Sequence, residues 1–555
     1  MLFRHSDGYL TAGRDGEYIF SGPIASVVLF GLDRPSYFSA SLTRQNLPNL
    51  SQPDFNREYS YGQSFAFIQD TFKITSRLTA NYGLRYEYLG APSNVGATKD
   101  VLLVLGSGAT RADQLANSTL PTPASGNQQL FKTDKTDFAV RVGATYDLTG
   151  RGKTVVRGAF GTFYDRPYDN LWENIRNNSI VLPLLSITGT TDVLTPVLTQ
   201  FANLNQPIAS DFPGVVLVNP DFKNGRIYSY FSGIEHRFTD SLMLQVNGLG
   251  TYGRRLVTTD VENRAFSTVN GRYTNLVPDV SYVDGLGYSD YNALTARFVY
   301  RRSRAFFQAA YTWSHTIDVQ GDALAGDFFN LTFVSNANGN TTGRASFTKQ
   351  FDPSFDRASS DFDQRQNLVL HGYWTPAPVF PNSKLRWITR DWNFGTLMAF
   401  RSGFPFGIVG PTDAIAGQGY YVNNRPNLLD PATAQTYQPV SGGVLLLNKA
   451  DFTPAAPSQL GNLGRNAFTG PGFYHIDLTA GRSFPLPWLG EGARINFRAD
   501  AFNLLNHANL GNPDNVLSSP TFGQAQFGHR ERANFALSPL DESPRQIQLS
   551  VRVEF

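Results

Sequence analysis

The 555-residue sequence contains no cysteine. That excludes a disulfide scaffold, thiolate metal sites and cysteine nucleophiles. Charge is scarce: 17% of residues are Asp, Glu, Lys or Arg, against roughly 25% in ordinary soluble proteins. Acids and bases nearly cancel, leaving a net charge of +2 and no electrostatic footprint for nucleic acid. No stretch approaches the roughly 18 consecutive apolar residues of a membrane-crossing helix. The best runs, residues 101–105 and 181–185, are far shorter, and the mean hydropathy is −0.26. The opening Met1-Leu2-Phe3-Arg4-His5 is not followed by an apolar core or a small-residue cleavage site. No secretory signal is read there, and the sequence is expected to start inside a longer protein.

Aromatics are plentiful, at 13% with 43 Phe and 25 Tyr, and apolar residues alternate with polar ones. In the last eleven residues, RQIQLSVRVEF, Ile547, Leu549, Val551, Val553 and Phe555 fall on one face of a strand. Gln546, Gln548, Ser550, Arg552 and Glu554 fall on the other. Strict alternation gives a strand with one apolar and one polar face. Residues 78–88, LTANYGLRYEY, repeat the pattern. Hairpins are expected at 61–74 with 78–88, 137–148 with 154–164, 226–238 with 241–250 and 288–300 with 305–316. Others are expected at 364–375 with 392–402 and 473–483 with 493–503, before a final strand at 545–555. One or two further strands are expected in residues 9–45.

The links between hairpins are long: 89–136, 165–225, 251–287, 317–363, 403–472 and 504–544. They are rich in Asn, Asp, Gly, Pro, Ser and Thr, residues of turns and irregular backbone. Short turns at one end and long loops at the other suit an outer-membrane β-barrel. The expected fold is all-β: a transmembrane antiparallel β-barrel of about 14–16 strands with long extracellular loops. Residues 1–60 would hold the early strand or strands and a connection, and 61–555 the barrel proper.

Register sorts the side chains. Tyr82, Leu84, Phe138, Val140, Leu294, Phe298, Ile476, Leu478, Ile495 and Phe497 are expected to face lipid. Arg85, Glu87, Arg141, Asp147, Arg157, Arg297, Asp477, Arg494, Arg498 and Asp500 are expected to face the lumen. An Arg or Lys facing midplane lipid costs about 2–4 kcal/mol, which drives charges to the second set. Tyr311, Trp313, Tyr373, Trp374 and Trp392 suit aromatic girdles at the water interface.

Several segments resemble the Oar-like TonB-dependent receptors, large outer-membrane proteins. They are SFAFIQDTFKITSRLTANYGLRYEY (64–88), DYNALTARFVYRRSRAFFQAAYTWSHTID (290–318), FDQRQNLVLHGYW (362–374), FRSGFPF (400–406), GNLGRNAFTGPGFYHIDLTAGRSFPL (461–486), INFRADAFNLLNHANLGNP (495–513) and the terminal strand. The resemblance implies a barrel of about 22 strands around an internal plug. It also implies that Ile547, Leu549, Val551, Val553 and Phe555 form the signal read by the barrel-assembly machinery. Its partners would be outer-membrane lipid, an unidentified extracellular ligand and, for the full-length receptor, the TonB complex. The location would be the outer membrane of a Gram-negative bacterium, with no cofactor and no enzymatic activity.

The plug, the TonB-contact segment and the early strands have no counterpart in these residues, so the sequence resembles the carboxy-terminal part of such a receptor. Transport by these residues alone is not expected. In lipid each unsatisfied backbone group of an open sheet edge costs several kcal/mol, against a net stability of about 5–15 kcal/mol. The strands must therefore close into a narrower barrel, or the missing part is supplied in cis or in trans.

Catalytic motifs are few. Gly248, Gly250 and Gly253 spell G-x-G-x-x-G, but no helical pattern follows as a dinucleotide fold requires; a flexible strand end is the expectation. The seven histidines lack metal spacing and read as loop or lumen residues. Asp361 and Asp363 with Asp352 or Asp356 offer oxygen ligands for calcium, but a solvated acidic loop is the stronger reading. No G-x-S-x-G elbow occurs. Three functions remain: a receptor barrel for a large or scarce substrate, an outer-membrane structural or adhesion barrel acting through its loops, and a secreted all-β enzyme or carbohydrate binder. The last requires the apolar strand faces to pack against each other. Loops 165–225 and 403–472 are the best candidates for ligand contact; their aromatics and Asn suit sugars or peptides.

Overall fold

In the computed structural model, residues 2–8, 17–20, 26–32, 35, 37–39 and 42–43 are described, as are residues 54–555 apart from 122–125, 182–183, 187–214, 265–271, 278–279, 322–346, 380–385, 411–424, 457–458 and 528–543. Among the described residues, fourteen long strands form one antiparallel wall. They are β1 (Leu2–Gly8), β2 (Arg57–Lys73), β3 (Leu78–Leu89), β4 (Phe138–Asp147), β5 (Thr154–Asp165), β6 (Gly225–Thr239) and β7 (Leu242–Glu262). β8 (Val280–Arg302), β9 (Ala305–Asp318), β10 (Gln366–Trp374), β11 (Trp392–Arg401), β12 (Phe473–Pro485), β13 (Arg494–Phe502) and β14 (Gln546–Glu554) complete it. Each strand pairs with the next in sequence, the meander that alternating short turns and long loops require.

One rim carries the short connections. Between β4 and β5, Asp147 accepts from the backbone N–H groups of Thr149, Gly150 and Gly152. Gly150 and Gly152 adopt φ of 68° and 67°, a region that glycine enters without steric penalty. Between β2 and β3, the Thr75 hydroxyl accepts from the N–H groups of Arg77 and Leu78.

The pairing carries a single apolar face from strand to strand. One row runs Leu78, Tyr146, Val156, Ile234, Val246, Ala296, Tyr311, Leu368, Phe400 and Tyr474. These side chains do not form a dry core. Leu84 is 43% exposed, Phe298 41% and Val551 60%. The largest fully buried side chains, among them Trp172, Tyr59, Tyr282, Phe222 and Ile408, all lie towards the long-loop rim. A soluble sandwich would bury its apolar strand faces; this wall exposes them.

Several expectations need correction. β7 and β8 run on to Glu262 and back from Val280, so most of the expected loop 251–287 is a paired hairpin. The ladder shifts register between Arg254 and Thr258, with Arg255 at φ 54°. Glycines and polar residues in this stretch hid the alternation. Among the described residues the early wall strand is Leu2–Gly8; much of 9–45, where one or two strands are expected, lies outside the described residues. The strands Glu17–Ile19, Tyr37–Ser39 and Leu42–Thr43 pair with one another, with Leu184–Ser186 or with Ile180–Val181 in small separate sheets. The G-x-G-x-x-G run sits within β7 and not at a flexible end. A Cβ on Gly250 would meet the Tyr230 ring at 2.3 Å, so glycine there makes room for a cross-strand aromatic. Tyr373 lies on the face opposite Trp374, since neighbouring strand residues alternate. His236 and His315 fall in the apolar rows, opposite Thr154 and Asn292, and not on the polar face.

The long loops are not irregular throughout. Described residues within 405–410, 425–469 and 510–526 build small sheets: Pro405–Phe406 with Phe468–Thr469, Asn427–Leu428 with Phe452–Thr453, and Gln435–Val440 with Gly443–Leu447 and Gln524–Gln526. They enclose a core of Phe406, Ile408, Leu447, Phe452, Phe468 and Phe522. A second core joins Tyr59 and Tyr61 of β2 to Phe131, Trp172, Val216 and Phe222.

Among the described residues, β1 covers β2 only from Arg57 to Gln63. From Phe65 to Lys73 every β2 side chain is exposed on both faces. β14 pairs with β13, and its side chains from Gln546 to Arg552 are likewise exposed. Among the described residues, the sheet therefore has two edges without a further strand.

Candidate functional site

The polar face of the wall is the first candidate surface. Arg85, Glu87, Arg141, Arg157, Arg297, Asp477, Arg498 and Asp500 all lie on it, opposite in parity to the apolar rows. Two pairs meet directly. Arg85 Nε donates to Glu87 Oε1 at 2.6 Å, and Arg498 Nε donates to Asp500 Oδ1 at 2.9 Å. The others meet partners that sequence reading did not find. Arg157 reaches Glu235 at 3.3 Å, Arg297 donates to Gln308 at 2.9 Å, and His475 Nε2 stands 2.7 Å from Asp477. Arg141 lies over the Phe163 ring at 4.6 Å, and Arg85 over Phe65 at 4.4 Å. Most of these partners come from neighbouring strands, so finding them needs the register and not parity alone.

The terminal set is continuous with the apolar face. Ile547, Leu549, Val551 and Val553 pair with Ala501, Ala499, Phe497 and Ile495. Phe555 follows the strand and is 94% exposed.

The second candidate surface is the head built from the loops. Residues 166–179 fold back over the polar face of β2. Trp172 sits edge-on to Tyr59 at 4.8 Å, and the Tyr61 hydroxyl donates to Asp169 at 3.0 Å. Beneath them Arg57 and Asp100, both fully buried, pair at 2.9 Å. The Tyr59 hydroxyl and the Asn94 amide also donate to Asp100. Burial pushes the Asp137 carboxyl up to about 6, although the Asn224 amide bonds it at 2.6 Å.

Arginines staple the other side of the head. Arg465 donates to Asp318 at 2.6 Å and to Asp361 at 3.3 Å. Burial opposes its charge, but these two acids outweigh that and hold the guanidinium above its usual range. Arg425 donates to Asp356 at 2.6 Å; burial, only partly offset by that acid, pulls it below its usual range. Asp363 faces His315 and Arg365, both at 2.9 Å, and Asp352 faces Lys349 at 3.1 Å. The acids read as a solvated loop or calcium ligands are thus counter-ions to basic side chains. Among the described residues no group of three or more His or acidic side chains is placed to hold a metal. Of the two loops singled out for ligand contact, residues 187–214 and 411–424 lie outside the described residues.

No curated protein matches the sequence. Solved structures similar to it include the outer membrane transporter YddB from Escherichia coli, at 10% identity and TM-score 0.41, covering 93% of this chain and 59% of that one. The ferripyoverdine receptor of Pseudomonas aeruginosa is similar at 10% identity and TM-score 0.39, covering 91% and 40%. The siderophore receptor PiuA from Acinetobacter baumannii is similar at 9% identity and TM-score 0.37, covering 93% and 44%. The chain thus spans between 40% and 59% of the length of these three. Residues 8–548 match the family described as outer membrane beta barrel domain. With its two-faced antiparallel wall, the chain belongs to the outer membrane β-barrel domain family, located in the outer membrane of Gram-negative bacteria.

Proposed function

We propose that this chain supplies the barrel wall and extracellular head of an Oar-like TonB-dependent receptor that takes up a large or scarce substrate. In this reading the plug and TonB-contact segment belong to the rest of the receptor. The charged face lines the lumen, the apolar face meets lipid, and the short-turn rim faces the periplasm. The single observation that carries the reading is the pairing of a two-faced wall with two unequal rims, one of tight turns and one of folded loops. Lumen arginines are largely matched by acids or amides, which suits a wetted wall against which a polar plug moves. The head, with its aromatic cores and arginine staples, presents a preorganised surface for ligand contact.

The test is genetic. Strains lacking this gene, lacking tonB, or lacking both are compared for uptake across a panel of ferric siderophores, cobalamin and oligosaccharides. The reading predicts that one substrate is lost in all three strains to the same extent. Uptake unchanged across the panel, with loss of cell-surface adhesion in the gene deletion alone, would support a structural or adhesion barrel instead.

A further inference from the structure

Four of the six tryptophans gather at one sector of the short-turn rim. Trp374 ends β10, Trp387 lies on the short helix Arg386–Thr389, Trp392 opens β11, and Trp488 lies in the turn between β12 and β13. Trp387 is 59% exposed and Trp488 76%, with Ile388 and Leu489 exposed beside them. Into this sector the wall places a cation on its apolar face. Arg482 pairs across the ladder with Trp392 on one side and Phe497 on the other. Its guanidinium lies 4.4 Å from the Phe484 ring, 5.4 Å from Trp392 and 5.7 Å from Trp387. Unlike Arg157, Arg297 and Arg498 on the polar face, it has no carboxylate or amide partner among the described residues. Its buried Nε makes no hydrogen bond there.

A cation on a lipid-contacting face needs an anion or water to satisfy it. Aromatic faces stabilise the charge but accept few of its five N–H bonds. A guanidinium forks bidentately onto phosphate, and tryptophans settle at headgroup depth. We propose that Arg482, framed by Trp387, Trp392 and Phe484, binds the phosphate of a glycerophospholipid in the periplasmic leaflet. The occupant is committed by charge complementarity: a cation on the apolar face without an acidic or amide partner among the described residues, at the depth where lipid phosphates lie, with exposed indoles beside it to hold the glycerol and upper acyl region.

The test uses the full-length protein extracted from outer membranes and delipidated in detergent. Phosphatidylglycerol and, separately, a phosphate-free galactolipid are titrated against it and bound lipid is counted by native mass spectrometry. Wild type is expected to retain phosphatidylglycerol in preference to the galactolipid. Arg482→Gln should lower that retention at least about tenfold, the loss of one charge-assisted bond, while Arg482→Lys keeps part of it. Trp387→Ser, on an exposed short helix where folding is not at stake, should lower it too. Equal retention of both lipids by wild type, or undiminished retention by both Arg482→Gln and Trp387→Ser, overturns the proposal.

Discussion

Most charges on this wall fall on one side of each strand, Arg482 being an exception, and parity alone finds that side. Arg297 and Phe298 are sequence neighbours, yet Arg297 bonds Gln308 while Phe298 stands 41% exposed on the apolar face. Phe298→Arg should therefore cost about 2–4 kcal/mol in lipid, whereas Thr312→Arg on the polar face, opposite Thr295 and Asn367, should cost little; urea unfolding in vesicles measures both. Partners were less legible than faces. Nothing in the sequence joins Arg57 to Asp100, since 43 positions separate them. Arg57→Met leaves a buried carboxylate unmatched, at about 3–5 kcal/mol, so protease should cut residues 90–137 faster while the wall stays inserted. Asp137 adds a pH signature. Its native pKa of about 6 lies above the ordinary 3.8, so the folded head binds the proton more tightly than the unfolded chain does. That contribution is fully present below about pH 4 and fades as pH rises through 6. Protease resistance of the head should be greater at pH 5 than at pH 7.5, and Asp137→Asn should flatten the difference.

At the scale of elements, strands were legible where lipid enforces period two and illegible where it does not. β3 and β14 alternate cleanly because both their faces are specified. The outer halves of β7 and β8 pass beyond that constraint; there backbone pairing persists while the side-chain pattern lapses. Loop cores were hidden for another reason. Phe406, Phe452, Phe468 and Phe522 meet only after the small sheets assemble, and no local period announces them. Phe452→Ala should cost about 3–5 kcal/mol in that core. Limited proteolysis should then open residues 425–470 without changing the amount of protein in the outer membrane. Deletion of Phe555, in contrast, should lower the assembled fraction and leave the head's protease pattern unchanged in the molecules that insert.

The wall is a sheet turned inside out relative to a soluble domain: among the described residues the largest buried side chains lie in the head, and many apolar side chains of the wall stay exposed. That inversion is why a mean hydropathy of −0.26 accompanies a membrane protein, since lipid sees only every second strand residue. Among the described residues, β2 beyond Gln63 and β14 each pair with one strand only. The absence of cysteine makes the decisive measurement simple. Single cysteines at positions 84, 85, 297, 298, 498 and 551 carry a bimane fluorophore in the assembled, membrane-embedded protein, exposed in turn to brominated lipid and to aqueous iodide. The account predicts lipid quenching at 84, 298 and 551 and iodide quenching at 85, 297 and 498. Iodide quenching at 84, 298 and 551 with lipid quenching at 85, 297 and 498, or no difference between the two sets, would contradict it.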